Sequence, residues 1–119
     1  MLSKGLIKSL SSFSLVLFLN FSFAQNFKVT EAFTNAGGKW EKKQVIDSTY
    51  IEIKDRLLFK RGQDTLLIFN IVSRQRFIRT DQELIVTEEN VNFRIYYGDI
   101  IYIYWYDEKT YLRFTVQKS

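Results

Sequence analysis

The chain has 119 residues, with 17 Lys and Arg against 13 Asp and Glu, a net charge of +4, and no His, Cys or Pro. The length suits one domain, and the missing Cys excludes disulfides, thiolate nucleophiles and thiolate-bound zinc. The missing His removes the commonest metal ligand and the side chain that most often transfers protons near neutral pH. From this composition we expect a protein that is not an enzyme and that uses no metal or cofactor.

Residues 1–24 have the pattern of a secretory signal peptide. Two lysines precede an apolar stretch over residues 10–23, and Ser22 and Ala24 are the small residues expected just before a cleavage site. A transmembrane helix would need about 20 unbroken apolar residues, whereas Asn20 and several serines interrupt this stretch. We therefore expect export to the periplasm or the extracellular space, without a stable membrane anchor.

Residues 25–119 are expected to form the single β domain. Removing residues 1–24, which contain two lysines and no acidic residue, leaves 95 residues with a net charge of +2. A charge this small does not favour nucleic acid as a partner, because nucleic-acid-binding domains usually carry a clustered basic surface.

Short runs of β-branched and aromatic residues, broken by Gly, Asn and Asp about every ten residues, indicate strands throughout this domain. We predict strands over residues 27–33, 40–46, 50–54, 57–61, 65–72, 84–88, 91–96, 100–106 and 110–116. The connections are too short for parallel crossovers. The fold class is thus all-β, an antiparallel up-and-down meander of eight or nine short strands closed as a small barrel; a two-layer sandwich is the alternative.

Four local patterns carry further expectations. Trp40 is predicted to be a deep core anchor, and the polar run 41–44 to be a protected edge strand. Residues 65–72 are apolar on both faces, which predicts a central, covered strand. The basic residues within 73–79 are predicted to lie in a solvated loop.

The last three strands share one core face only in a particular register, because a slip of one residue turns every side chain to the other face. A three-residue loop over residues 97–99 and a turn at residues 108–109 give these pairs: Ile95 with Ile101, Phe93 with Ile103, Ile103 with Phe114, and Trp105 with Leu112.

The same register places tyrosines and arginines on the opposite face of these strands. Tyr and Arg are enriched in binding hot spots because each combines a large contact area with a polar group. We therefore predict the following ligand-binding residues: Arg94, Tyr96, Tyr102, Tyr104, Tyr111 and Arg113. The alternative is a purely structural role, since cross-strand aromatic pairs stabilise a sheet by about 0.2–1 kcal/mol each.

Two resemblances to known proteins add to this interpretation. The sequence Gly38-Lys39-Trp40 resembles the Gly-x-Trp opening of lipocalins, eight-stranded barrels that carry small apolar ligands and in which this Trp closes one end. Ala24-Gln25, Phe27–Thr30 and Ile101–Tyr104 resemble segments of small secreted β-proteins of unknown function from Gram-negative bacteria.

We expect a non-enzymatic binding or interaction module that uses the Tyr- and Arg-rich face. Its partner would be a small molecule, a glycan or a protein, and not nucleic acid. The lipocalin resemblance implies the alternative, a carrier of a small apolar ligand. Two carboxylate pairs, Glu88 with Glu89 and Asp107 with Glu108, fall at predicted hairpin turns, where charged residues are ordinarily solvated, so no catalytic residue is predicted.

Overall fold

The computed structural model describes residues 24–119, so the predicted signal peptide lies outside the described residues except for Ala24. Nine strands follow one another along the chain: β1 (Gln25–Ala36), β2 (Lys39–Lys43), β3 (Thr49–Ile53), β4 (Arg56–Arg61), β5 (Asp64–Phe77), β6 (Gln82–Thr87), β7 (Asn92–Tyr96), β8 (Ile101–Tyr106) and β9 (Tyr111–Lys118). Over residues 24–119 the structure contains no helix that is long and apolar enough to cross a membrane.

Eight of the nine strands close into an antiparallel barrel. Each strand from β3 to β8 pairs with the strand that follows it along the chain, and β1 closes the ring by pairing with both β3 and β9. Along β1, residues 25–28 pair with β3, while residues 27–34 pair with β9 on the other edge. The all-β prediction and the prediction of a closed barrel of eight or nine strands are confirmed.

Strand β2 lies outside the ring. It forms a hairpin with the last five residues of β1, through a turn in which Gly37 and Gly38 adopt positive φ angles of 61° and 83°. Glycine suits these two positions because other residues adopt such angles at a steric cost. Most of β2 is charged and exposed, which discourages pairing of its free edge with other chains. The prediction of a polar edge strand at residues 41–44 is therefore confirmed over the part of the run that β2 includes.

The barrel interior is filled by apolar side chains from alternating positions of the strands. The largest fully buried ones are Phe27, Ile51, Ile53, Leu57, Ile85, Phe93, Ile95 and Ile103. An eight-stranded barrel is just wide enough for side chains to fill it. Towards one end of the barrel, Trp105 packs edge-to-face on Phe69 and Phe93, with ring centroids 5.2 and 5.5 Å apart.

The observed register of the last three strands agrees with the prediction at one turn and differs at the other. Ile103 pairs with Phe114 and Trp105 with Leu112, as predicted. Between β7 and β8, however, Ile95 pairs with Ile103 and not with Ile101. The loop is longer than predicted, so the register shifts by two residues; an even shift preserves the buried face.

Two expectations about burial and one about secondary structure are wrong. Trp40 is only half-buried and lies outside the barrel, and Trp105 is the tryptophan that packs in the core. Strand β5 is not covered, since Ile68 and Val72 are 47% and 62% exposed. The predicted loop over residues 73–79 is largely strand, because β5 continues to Phe77. The two errors about burial share a cause: the apolar or polar character of a run does not determine which side of a closed sheet its side chains face.

The two ends of the barrel differ in the turns that form them. We call the end at which Gln25 begins β1 the entry end; it carries the β3–β4, β5–β6 and β7–β8 turns. The far end carries the β1–β2, β4–β5, β6–β7 and β8–β9 turns and the connection between β2 and β3.

Candidate functional site

The six predicted site residues lie together on the outside of β7, β8 and β9. Tyr96 pairs directly with Tyr102 across β7 and β8. Arg94, Tyr104 and Arg113 form a continuous row across the three strands. All six are half-buried. We call this surface the tyrosine–arginine face and define it by Arg94, Tyr96, Tyr102, Tyr104, Tyr111 and Arg113.

Tyr104 is the centre of an aromatic cluster on this face. Its ring centroid lies 5.2 Å from that of Tyr96, 6.1 Å from that of Tyr106 and 6.0 Å from that of Tyr111. The Tyr106 and Tyr111 rings stack with centroids 4.7 Å apart. Burial and the Tyr111 hydroxyl both raise the pKa of Tyr106. Tyr104 therefore has a packing role, whereas Tyr96 and Tyr102 lie nearer the edge of the cluster.

Two aromatic residues that the sequence analysis did not assign to the site complete this cluster. Trp40, from the β2 hairpin, lies edge-on to Tyr111 and Tyr104, with centroids 4.7 and 6.0 Å apart. Phe33 pairs with Arg113 across β1 and β9. The sequence Asn35-Ala36-Gly37-Gly38 is itself typical of a turn. The closure between β1 and β9, which places this hairpin beside the last strand, was not recognisable in the sequence.

Arg113 is held among aromatic rings. Its guanidinium carbon lies 4.4 Å from the ring centroid of Phe33, 4.9 Å from that of Trp40 and 5.4 Å from that of Tyr102. Such cation–π contacts are favourable at these distances. Its Nε is buried and has no hydrogen-bond partner within the described part of the chain. The rings thus fix the position of a cation that forms no salt bridge within the described part of the chain. The Glu31 carboxylate on β1 interacts with it electrostatically from a greater distance.

Neither arginine of this face takes part in a salt bridge among residues 24–119. The ion pairs found within residues 24–119 join other cations to carboxylates: Lys42 to Glu31, Lys43 to Glu41, Lys60 to Glu52, Arg74 to Glu83 and Arg76 to Asp81. Arg94 instead donates a 2.9 Å hydrogen bond to the neutral Gln82 side chain. The tyrosine–arginine face therefore carries two cations that form no salt bridge among the described residues, with Glu31 as a more distant carboxylate near Arg113, and it can attract an anionic group.

A second polar site lies inside the barrel at the entry end. Arg74 donates to both carboxylate oxygens of Glu83, at 2.6 and 3.0 Å, and to Gln25 Oε1 at 2.7 Å. Gln25 Nε2 donates to the Tyr97 hydroxyl, which donates to Glu83 at 3.0 Å. These four side chains form a closed ring of hydrogen bonds, which we call the buried polar ring. Arg74 is thus not the solvated residue that the sequence suggested.

The buried polar ring makes stability depend on pH in alkaline solution. Burial, aided by the negative charge of Glu83, raises the pKa of Tyr97 from 10.0 to about 12. The folded chain holds this proton more tightly than the unfolded chain, so the contribution is complete below pH 10 and is lost as pH rises towards 12. We expect the free energy of unfolding to fall over this interval, and to fall less steeply in Tyr97→Phe. Denaturant titrations between pH 9 and 12 measure this slope, with Tyr50→Phe as the matched control; equal slopes in all three proteins would contradict the assignment.

The carboxylate pairs at the far end are engaged in turn structure. A surface depression of about 320 Å³ between the β6–β7 and β8–β9 turns includes Glu89, Asp107 and Glu108 in its lining. Glu89 accepts hydrogen bonds from the backbone and side-chain nitrogens of Asn70. Asp107 accepts the Trp105 indole hydrogen bond, which lowers the pKa of its carboxyl. One member of each pair, Glu89 and Asp107, is therefore engaged in hydrogen bonds that stabilise this end of the barrel.

Residues 24–119 contain no cluster of three or more side chains suited to hold a metal ion. No protein-family model matches the sequence, and no curated protein or solved structure is similar enough to serve as a relative. The site is therefore interpreted from its own geometry.

Proposed function

We propose that the protein is an exported, non-enzymatic binding module whose tyrosine–arginine face binds a ligand that combines an anionic group with a flat, partly apolar surface. The observation that carries this proposal is the pair of arginines that form no salt bridge within the described residues and lie beside half-buried aromatic rings. Guanidinium groups bind carboxylates and sulfates with directed hydrogen bonds, and tyrosine rings provide contact area with a polar group.

An acidic glycan fits this surface better than a wholly apolar ligand. Arg94 and Arg113 are separated by one strand, which places their backbones about 10 Å apart at the usual strand spacing. This span suits an extended ligand with repeated negative charges and sugar rings between them. The filled barrel interior favours this outer face over an internal ligand of the lipocalin kind.

The edge of the aromatic cluster is the place to test binding without disturbing its centre. The first step is to screen acidic oligosaccharides and their neutral counterparts against the processed chain. Arg94→Gln and Tyr102→Ser are then expected to weaken binding of an acidic oligosaccharide about 10- to 100-fold, a typical loss for hot-spot residues. Isothermal titration calorimetry measures the affinity, and thermal unfolding shows whether the variants are folded.

Tyr50→Ser is the matched control for Tyr102→Ser, because Tyr50 is a half-buried tyrosine on β3, outside the tyrosine–arginine face. It is expected to bind like the unaltered chain. The proposal fails if no acidic oligosaccharide binds, or if Tyr50→Ser weakens binding as much as Tyr102→Ser. Tyr104→Ser is unsuitable as a binding probe, because losing the centre of the cluster should itself destabilise the barrel.

A further inference from the structure

The entry end of the barrel exposes apolar side chains at its turns. Ile78, in the β5–β6 turn, is 87% exposed, and Ile100, in the β7–β8 turn, is 56% exposed. Phe77, at the end of β5, is also exposed. The two turns are neighbours, since the backbone N–H of Tyr97 donates a 2.9 Å hydrogen bond to the carbonyl of Asp81. We call Phe77, Ile78 and Ile100 the apolar rim.

The charged residues of the barrel are divided between its two ends. The turns and strand termini at the entry end carry five cations, Lys54, Arg56, Arg76, Arg79 and Lys118, against three side-chain carboxylates, Asp55, Asp81 and Asp99. The turns and strand termini at the far end carry four cations, Lys39, Lys43, Arg61 and Lys109, against six carboxylates, Asp47, Asp64, Glu88, Glu89, Asp107 and Glu108. A negatively charged surface therefore attracts the entry end and repels the far end.

Chain connectivity adds a third observation at the entry end. Gln25 begins β1 there, so the apolar residues 10–23 are joined to the barrel at the same end as the apolar rim. An apolar leader brings the start of an exported chain to a membrane during translocation. A leader at residues 1–24, as predicted from the sequence, would thus join the barrel at the end that carries the apolar rim and the positive turns.

We propose that the entry end is a peripheral membrane-docking surface, with the apolar rim inserted among the headgroups of an anionic bilayer. Exposed isoleucine and phenylalanine beside basic residues provide the two contributions that interfacial binding needs, apolar burial and attraction to anionic lipid. Docking in this way leaves the tyrosine–arginine face on the side of the barrel, open to solvent. The proposal does not depend on the function suggested for that face.

The test uses the chain from Gln25 to Ser119, because all nine strands and the β1–β9 closure lie within it. It is mixed with vesicles of phosphatidylglycerol and phosphatidylethanolamine, or of phosphatidylcholine alone, and the bound fraction is measured by cosedimentation. We expect binding to the anionic vesicles that weakens as salt increases, because added ions screen the lipid charge. Equal binding to both kinds of vesicle, or no binding to the anionic ones at low salt, would overturn the proposal.

Variants locate the docking surface. The double variant Ile78→Ser/Ile100→Ser is expected to bind anionic vesicles about tenfold or more weakly, because it removes apolar area that insertion would bury. Arg79→Gln is expected to weaken binding about fivefold, the usual effect of one basic residue at a charged bilayer. Ile46→Ser is the matched control, since Ile46 is 55% exposed and precedes β3 at the far end. A loss in Ile46→Ser equal to that in the double variant would place the docking surface elsewhere and refute the assignment.

Discussion

Phe93→Ala is expected to lower the free energy of unfolding by about 3–5 kcal/mol, the usual cost of removing a large aromatic side chain from a packed core. Phe93 is fully buried, and its ring contacts those of Phe59, Phe69 and Trp105 at centroid distances of 5.2–6.1 Å. Removing this ring leaves a cavity among side chains that come from three other strands, β4, β5 and β8. These strands are joined in one closed sheet, so they cannot move together to fill the space.

The measurement is a denaturant titration of the chain from Gln25 to Ser119 and its variants, compared at constant m-value. Phe77→Ala is the matched control, because Phe77 is 37% exposed at the rim of the barrel. It makes the same chemical change and should cost much less. Equal costs for the two variants would mean that the interior is not packed around Phe93 in the way described.

Glu83→Gln is expected to destabilise the protein by about 3–5 kcal/mol, because it leaves the Arg74 charge buried without its counter-ion. The two side chains are 8% and 9% exposed and are joined by two hydrogen bonds. The Tyr97 hydroxyl would also lose its charged acceptor. The loss is therefore larger than that of a single neutral hydrogen bond.

Two further variants separate this effect from a simple loss of charge. Glu52→Gln breaks the ion pair with Lys60, which is about one-third exposed, and should cost no more than about 1 kcal/mol. The double variant Arg74→Met/Glu83→Leu removes both buried charges and should recover most of the stability lost in Glu83→Gln. A Glu83→Gln variant no less stable than Glu52→Gln would contradict the buried polar ring.

Much of the fold followed from local patterns. Alternation identified the buried positions of β3 and β7, and the short connections implied an antiparallel meander. The turn at residues 108–109 fixed its own register because a short hairpin loop allows few pairings. The longer loop between β7 and β8 allowed a shift of two residues, and the alternation of side chains could not detect it because both registers bury the same face.

The candidate site was partly predictable from the same alternation of side chains along each strand. Alternation placed Arg94, Tyr102 and Arg113 on one face because they lie on consecutive strands with close register. It could not bring Trp40 to that face, because Trp40 is 64 residues before Tyr104 in sequence and reaches it only through the β1–β9 closure.

The absence of His and Cys limited the chemistry that the side chains can perform, and the strand pattern determined the fold class. With no His or Cys, and with apolar residues at alternating positions, the sequence itself specified an all-β fold without thiol or imidazole side chains. Only the tertiary structure decided which side of the closed sheet each run faces: Arg74 inside with Glu83 and Gln25, Trp40 outside against the tyrosines. The reason is that closure joins the first and last strands, and burial around that junction depends on contacts between residues far apart in the chain.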